Sequence, residues 1–234
     1  MLTSFIERLI RYIKNDSNYS IKYGLSIQDI VVILIRRGLA LLRGWLFLIL
    51  RLRKMSIFFK GRNSNIYFSN HLEFGSPLTI GDNVTIECLG KTGIKLGSNV
   101  NIPDGCFIRC TGVISELGIG LEIGDNTGLG HNIFINSQGG VKMGDDVIIG
   151  PNVSFLAENH VFDSPEDLIR LQGVNRIGIK IENNVWIGAN VTILDGVEIG
   201  TGCVIGAGSV VTKSIPSYSI AIGNPCKVLK PRQS

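Results

Sequence analysis

Residues 181–211 read IENNVWIGANVTILDGVEIGTGCVIGAGSVV, and the placing of the large aliphatic side chains in this stretch decides the fold. Ile181, Ile187, Ile193, Ile199, Ile205 and Val211 fall six residues apart without a break. The position four after each aliphatic holds Val185, Val191, Val197, Cys203 and Ser209, all small or β-branched, and Gly, Asn and Asp crowd the positions between. A period of six matches neither the period of about 3.6 of an amphipathic helix nor the alternation of a half-buried strand. It fits short strands joined by tight turns, in which the aliphatic points inward, the small residue permits a corner, and Gly, Asn and Asp supply the turn conformations. Three hexads make one triangular coil of eighteen residues, and stacked coils make a parallel β-helix.

The same phase continues upstream in pieces: Ile123, Leu129, Ile135 and Val141, then Met143, Ile149 and Phe155 after a two-residue slip at SQGGVK (137–142). Earlier pieces are Leu96, Ile102 and Ile108, and before them Ile80 and Ile86. Each slip marks a longer corner. Between Phe155 and Ile181 the spacing asks for six residues and the chain uses twenty-six, so about twenty leave the wall as a loop spanning about 156–180. One of the three histidines, His160, stands at its root in ENHVFD.

The hexad resembles that of the hexapeptide-repeat acyltransferases over about residues 75–232. The run VWIGANVTILDGVEIGTGCVIGAGSVVTKSIPSYSIAIGNPCKVL (185–229) is similar to the sugar and polysaccharide O-acetyltransferase branch: the maltose and galactoside enzymes and the capsule and O-antigen acetyltransferases. The resemblance implies a left-handed β-helix, against the usual right-handed preference of parallel crossovers. It also implies a homotrimer in which the inserted loop reaches a neighbouring subunit and closes the acceptor site. His160 then occupies the place of the catalytic histidine and Asn136 that of an acceptor-site asparagine.

The chemistry suits that placement. Moving an acetyl group from a thioester to a sugar hydroxyl requires a base that takes the proton as oxygen attacks carbon; imidazole, with an ordinary pKa of about 6.5, accepts it and passes it to the thiolate leaving group. Such an imidazole needs an orienting partner, for which Glu158 ranks ahead of Asp163. The competing reading of His160 is a surface histidine in a polar turn. Trp186, at the return from loop to coil, packs or lines the acyl site.

The donor implied is acetyl-CoA, laid in a groove between neighbouring β-helices. Ala189 and Ala207 leave room for pantetheine; Thr212, Lys213, Lys227, Lys230 and Arg232 follow, and no other Lys or Arg lies between 181 and 234. No P-loop or dinucleotide pattern is credible, because the glycines are hexad corners. No metal is expected: His71, His131 and His160 are 60 and 29 residues apart, unlike the close ligands of β-helical carbonic anhydrases. Five cysteines without a CxxC pair read as free buried thiols of a reducing compartment.

The formal charge of +4 divides unevenly. Residues 1–62 hold 12 Lys+Arg against 3 Asp+Glu, a net +9, and the rest of the chain carries −5. The basic segment suits an anionic surface such as a membrane rather than nucleic acid. Leu2, Phe5, Ile6, Leu9, Ile10 and Ile13 share one helical face; a second helix starts at Ser26 with Asp29 in a capping box and runs to about Leu52. Asp29, Arg36, Arg43 and Arg51 share a narrow side, and the expectation is an in-plane helix with its arginines towards lipid phosphates; the alternative is packing on the β-helix or across the trimer. No secretory signal is read, nor a separate nucleotide-binding domain.

The resulting expectation has residues 1–62 as a basic helical segment, 63–213 as the β-helix, and 214–234 as a tail completing the donor site. The function is an acetyl-CoA-dependent O-acetyltransferase acting on a glycan hydroxyl, cytoplasmic or at the inner membrane face, with residues 1–55 dispensable for folding. The alternatives are an N-acetyltransferase of an amino sugar and a non-catalytic β-helix scaffold.

Overall fold

The computed structural model describes residues 2–14, 17, 19–21 and 24–232, with the side chains of 2–5 and 14 outside that description; the expected facing of Leu2 and Phe5 therefore lies outside the described residues. Two helices, α1 (Leu2–Lys14) and α2 (Ile27–Leu50), precede the β-structure. Ser26 caps α2 by accepting from the Asp29 N–H, and Asp29 accepts from the Ser26 N–H in return, the capping box expected from SIQD.

The hexads wind into a triangular parallel β-helix. Sheet A stacks Phe58–Lys60, Leu78–Ile80 and Val100–Ile102, passes through Gly128, and continues with Ile148–Ile149, Trp186–Ile187, Val204–Ile205 and Ser219–Ile222. Sheet B runs from Asn65–Tyr67 to Val210–Val211, and sheet C from Leu72–Phe74 to Glu198–Ile199. All pairings between successive coils are parallel; Ile187 stacks on Ile205, and Ile193 on Val211. Every aliphatic marked by the period of six is buried, and so are Val185, Val191, Val197, Cys203 and Ser209. One continuous core therefore runs the length of the coils.

The corners tell where the chain departs from its period. Lys180 and Glu198 face each other across one coil at a separation of 18 residues, whereas Asn152 and Asn190, across the coil that carries the loop, are 38 apart. The difference is the inserted twenty. Asn99 and Asn126 are 27 apart, because a second, shorter excursion (111–118) leaves the coil between them, at the slip from Ile108 to Ile123. At the corner from sheet A to sheet B, Asn63, Asn83, Asn132, Asn152 and Asn190 all have φ near +55°, a left-handed conformation that asparagine tolerates better than most side chains. Their amides bond in a ladder, Asn132 to Asn152 at 3.3 Å and Asn152 to Asn190 at 3.1 Å.

The β-helix begins at Phe58, before the boundary expected at 63, and its wall runs on to Ile222 instead of stopping at 213. Lys227–Pro231 then turns back antiparallel to Ser219–Ile222. At the other end α2 crosses the first coil. Gly44 allows this: a Cβ there would sit 1.8 Å from the Phe58 carbonyl oxygen. Leu48 joins the core, Phe47 meets Phe58 edge to face, and Arg43 Nε donates to the Lys60 carbonyl at 2.8 Å. Arg37 lies over the Phe59 ring and Arg51 over Phe47. These contacts correct the expectation that the arginine side of α2 faces outward. The carbonyls of the first coil have no coil above them, and the arginines take the place of its donors. All five cysteines are free and buried; burial pushes the Cys88 thiol up to about 12 and Cys106 to about 11.

Candidate active site

The excursion predicted from the broken period leaves the β-helix at the corner from sheet B to sheet C, after Ser154–Leu156, and returns at Ile179–Ile181. It is a built hairpin. Asn159–His160 pairs antiparallel with Val174–Asn175, and His160 lies opposite Val174. Beyond the pair, Gln172 holds the tip: its Oε1 accepts from Ser164 N at 3.0 Å, and its Nε2 donates to the carbonyls of Ser164 and Asp167 at 2.9 and 3.0 Å. His160 is exposed on the first strand of this hairpin.

Both ends of the hairpin are fixed by buried charge. Asp195, 9% exposed, accepts from the N–H groups of Ile177 (3.0 and 3.1 Å) and Gly178 (2.7 Å), which clamps the returning strand. Glu158 accepts from Gln138 Nε2 at 2.7 Å and from Arg176 Nε at 2.6 Å. The Glu158 and Arg176 side chains are 14% and 13% exposed, and Arg176 also reaches Glu116 of the shorter excursion at 3.1 Å. Gln138 Oε1 accepts from Gly112 N at 2.8 Å, so the two excursions are tied through the coil between them. Charge-assisted bonds of this kind hold geometry well when burial keeps water from competing.

The structure gives Glu158 a different neighbour from the one the sequence suggested. Its carboxylate is shared by Gln138 and Arg176, and among the described residues no side-chain hydrogen bond joins His160 to Glu158 or to the exposed Asp163. Asn136 is half-buried on sheet B, one coil before the root of the loop, with its Oδ1 accepting from Gln138 N at 3.3 Å. Trp186 projects from sheet A beside Ile148, and both are exposed. His131 and His71 are exposed elsewhere, at a corner and in a 3₁₀ turn. Among the described residues no group of three or more His, Cys, Asp or Glu is gathered as a metal site.

The donor residues separate into three places. Ala189 and Ala207 stack at the corner from sheet A to sheet B, where a Cβ on Gly188 would lie 2.6 Å from Ala207 N. Lys227, opposite Ile222, continues that line, and Lys230, opposite Ile220, lies further along the returning strand. Thr212 and Lys213 follow Val210–Val211 at the corner from sheet B to sheet C, while Arg232 donates to Gly202 O at 2.9 Å at the third corner. Lys213 and Lys227 are exposed at different corners of one chain. Arg176, Gln138, Glu116 and Asp195 were not singled out by the sequence. They come from different coils, and only the stacking register, with unequal coil lengths, brings them together.

Comparison with known proteins agrees with the repeat. The family described as bacterial transferase hexapeptide (six repeats) matches residues 178–213. The galactoside O-acetyltransferase of Escherichia coli is 41% identical over 118 residues, 50% of this chain and 57% of that protein. The galactoside O-acetyltransferase of Lactococcus lactis is 36% identical over 143 residues, 61% of this chain and 65% of that protein. Among solved structures, a galactoside acetyltransferase in complex with coenzyme A is 40% identical over 48% of this chain and 56% of that chain, with a TM-score of 0.46. The chain thus spans about three fifths of the length of these curated relatives. Residues 178–213, set within the parallel β-helix, thus match the bacterial transferase hexapeptide model, and the chain is similar in sequence to acetyltransferases.

Proposed function

We infer that the protein transfers an acetyl group from acetyl-CoA to a hydroxyl of a sugar, within a surface polysaccharide or its lipid-linked precursor, with His160 as the general base. The observation that carries this reading is the standing of His160 on the one long excursion of the β-helix, exposed on a hairpin whose two roots are fixed by Asp195 and by the Glu158–Arg176 pair. Sequence similarity to galactoside O-acetyltransferases supports the reaction class.

The sugar oxygen gives its proton to the His160 imidazole as it attacks the thioester carbon; the tetrahedral intermediate collapses with loss of the CoA thiolate, which takes the proton back as free thiol. A rigid wall and a fixed hairpin hold the two substrates in reacting geometry. The assembly is a homotrimer, with donor and acceptor between neighbouring copies. Two features support it. The bases Lys213, Lys227 and Arg232 stand at three different corners, so a groove between two copies collects more of them than one chain does. Phe162, Leu168 and Leu171 of the loop, and Ile148 and Trp186 of sheet A, are apolar and exposed on one chain, matched surfaces for covering one another between copies.

The test is to incubate the purified protein with acetyl-CoA and a panel of glycans and to follow thiol release. Glycan-dependent release with an alkali-labile product is expected; an alkali-stable product shows N-acetylation, and no release with any glycan favours a scaffold. Removing charge at Lys227 and Lys230 should raise KM for acetyl-CoA and leave KM for the acceptor in place.

A further inference from the structure

The outward side of α2 is apolar, and among the described residues nothing covers it. Ile27, Val31, Ile35, Leu42, Leu46 and Ile49 are 73, 45, 56, 60, 55 and 58% exposed. At about 100° per residue they share one half of the helix, while Asp29, Arg36, Arg37 and Arg43 lie on the other. With 24 residues, α2 is about 36 Å long, so this is an extended strip and not a scatter of single side chains.

We propose that this strip seats the protein on a bilayer rich in anionic phospholipid, with α2 lying in the plane of the interface. Among the described residues no helix is long and apolar enough to cross a membrane, and the arginines on the inner side of α2 are held by the first coil. An in-plane helix with its apolar side in the acyl boundary satisfies both facts.

Charge selects the occupant. Residues 1–62 carry +9, and among the described residues no Lys or Arg before Arg62 pairs with a carboxylate. A second copy meeting this strip would bring two such segments together with few acids to offset them; an anionic surface supplies the missing charge. Where the strip meets the β-helix, a cleft of about 770 Å³ has Trp45, Leu48, Met55 and Phe74 as apolar wall and Arg53 and Lys54 as cations. That combination matches a phospholipid, whose acyl chain adjoins a phosphate.

The inference is independent of the catalytic reading and is tested by flotation of the full-length protein with vesicles of phosphatidylcholine, alone or mixed with phosphatidylglycerol. Capture by the anionic vesicles at low salt, lowered about tenfold at high salt, is expected. In a Trp186→Phe background the emission of Trp45 should move to the blue on binding. The double substitution Leu42→Glu and Leu46→Glu, at exposed positions, should lower partitioning at least about tenfold with an unchanged melting temperature. The proposal is overturned if the parent protein ignores anionic vesicles at low salt, or if the double variant floats as the parent does. It is equally overturned if that variant loses oligomeric mass in sedimentation while the parent shows no lipid binding, which would assign the strip to a second copy.

Discussion

Two corners of the same triangle have opposite characters. The corner from sheet A to sheet B repeats asparagine in the left-handed conformation coil after coil, its amides bonding to those above and below. The corner from sheet B to sheet C carries both excursions, and at its centre holds the mostly buried Gln138, Glu158 and Arg176, with the exposed Glu116 at their edge. The first corner spreads a small stabilisation over many equivalent positions. The second concentrates unlike charges in one place and presents His160. Regularity makes a wall, and one tethered irregularity gives that wall a site.

The comparison is tested most severely at His160. His160→Ala should lower turnover about 10²- to 10⁴-fold while leaving thermal stability in place, measured by initial rates and by calorimetry. Near-parental turnover would leave the irregular corner without its chemistry. Next comes Arg176→Leu, which leaves the Glu158 carboxylate with Gln138 alone in a mostly buried setting. A loss of about 2 to 4 kcal/mol is expected in denaturant unfolding, below the range for a fully buried pair because some solvent reaches Glu158. Protease cleavage within 158–177 should also accelerate. If cleavage is unchanged, the pair does not fix the hairpin.

At the regular corner the effects should be smaller. Asn152→Ala puts a less tolerant residue at φ +57° and removes amide bonds to Asn132 and Asn190, for about 1 kcal/mol, whereas Asn152→Gly relieves the backbone and should cost less. Equal losses for the two variants would show that the ladder, not the backbone, dominates. The smallest effect belongs to Asp82, whose carboxyl is held below the usual carboxylate range first by the Arg62 N–H and then by the Arg62 side chain. A depressed carboxyl stabilises the fold above its ordinary pKa, and the contribution is lost as pH falls through the depressed value. Asp82→Asn should therefore lower the melting temperature slightly at neutral pH, with the difference from the parent closing in acid.

Most of the wall was legible because a hexad repeat states its own geometry: one aliphatic in six specifies which side chain turns inward, and all those so marked are buried. The loop was legible as an interruption of that count. The network at its root was not, because Gln138 and Arg176 are 38 residues apart and meet only through the stacking register. The excursion at 111–118 shows in the sequence only as a break between two pieces of the repeat, fifteen residues from Ile108 to Ile123 where the period asks for six. The facing of α2 was misread for a different reason. A helical wheel separates arginines from aliphatics but does not say which side meets protein; Gly44 and the unpaired carbonyls of the first coil decided that in favour of the arginines.

The covering of that first coil has a consequence for self-assembly. A parallel β-helix is a stack whose last layer is as ready to accept another layer as any within it, and each end is an open template for a second molecule. At one end Lys227–Pro231 runs against the parallel direction, and at the other α2 lies across the opening with arginines on the carbonyls. Residues 27–55 are thus a stopper, since Leu48 belongs to the core itself. A chain cut at that point should join end to end into filaments as its concentration rises, a growth that light scattering would follow and that the intact chain should not show.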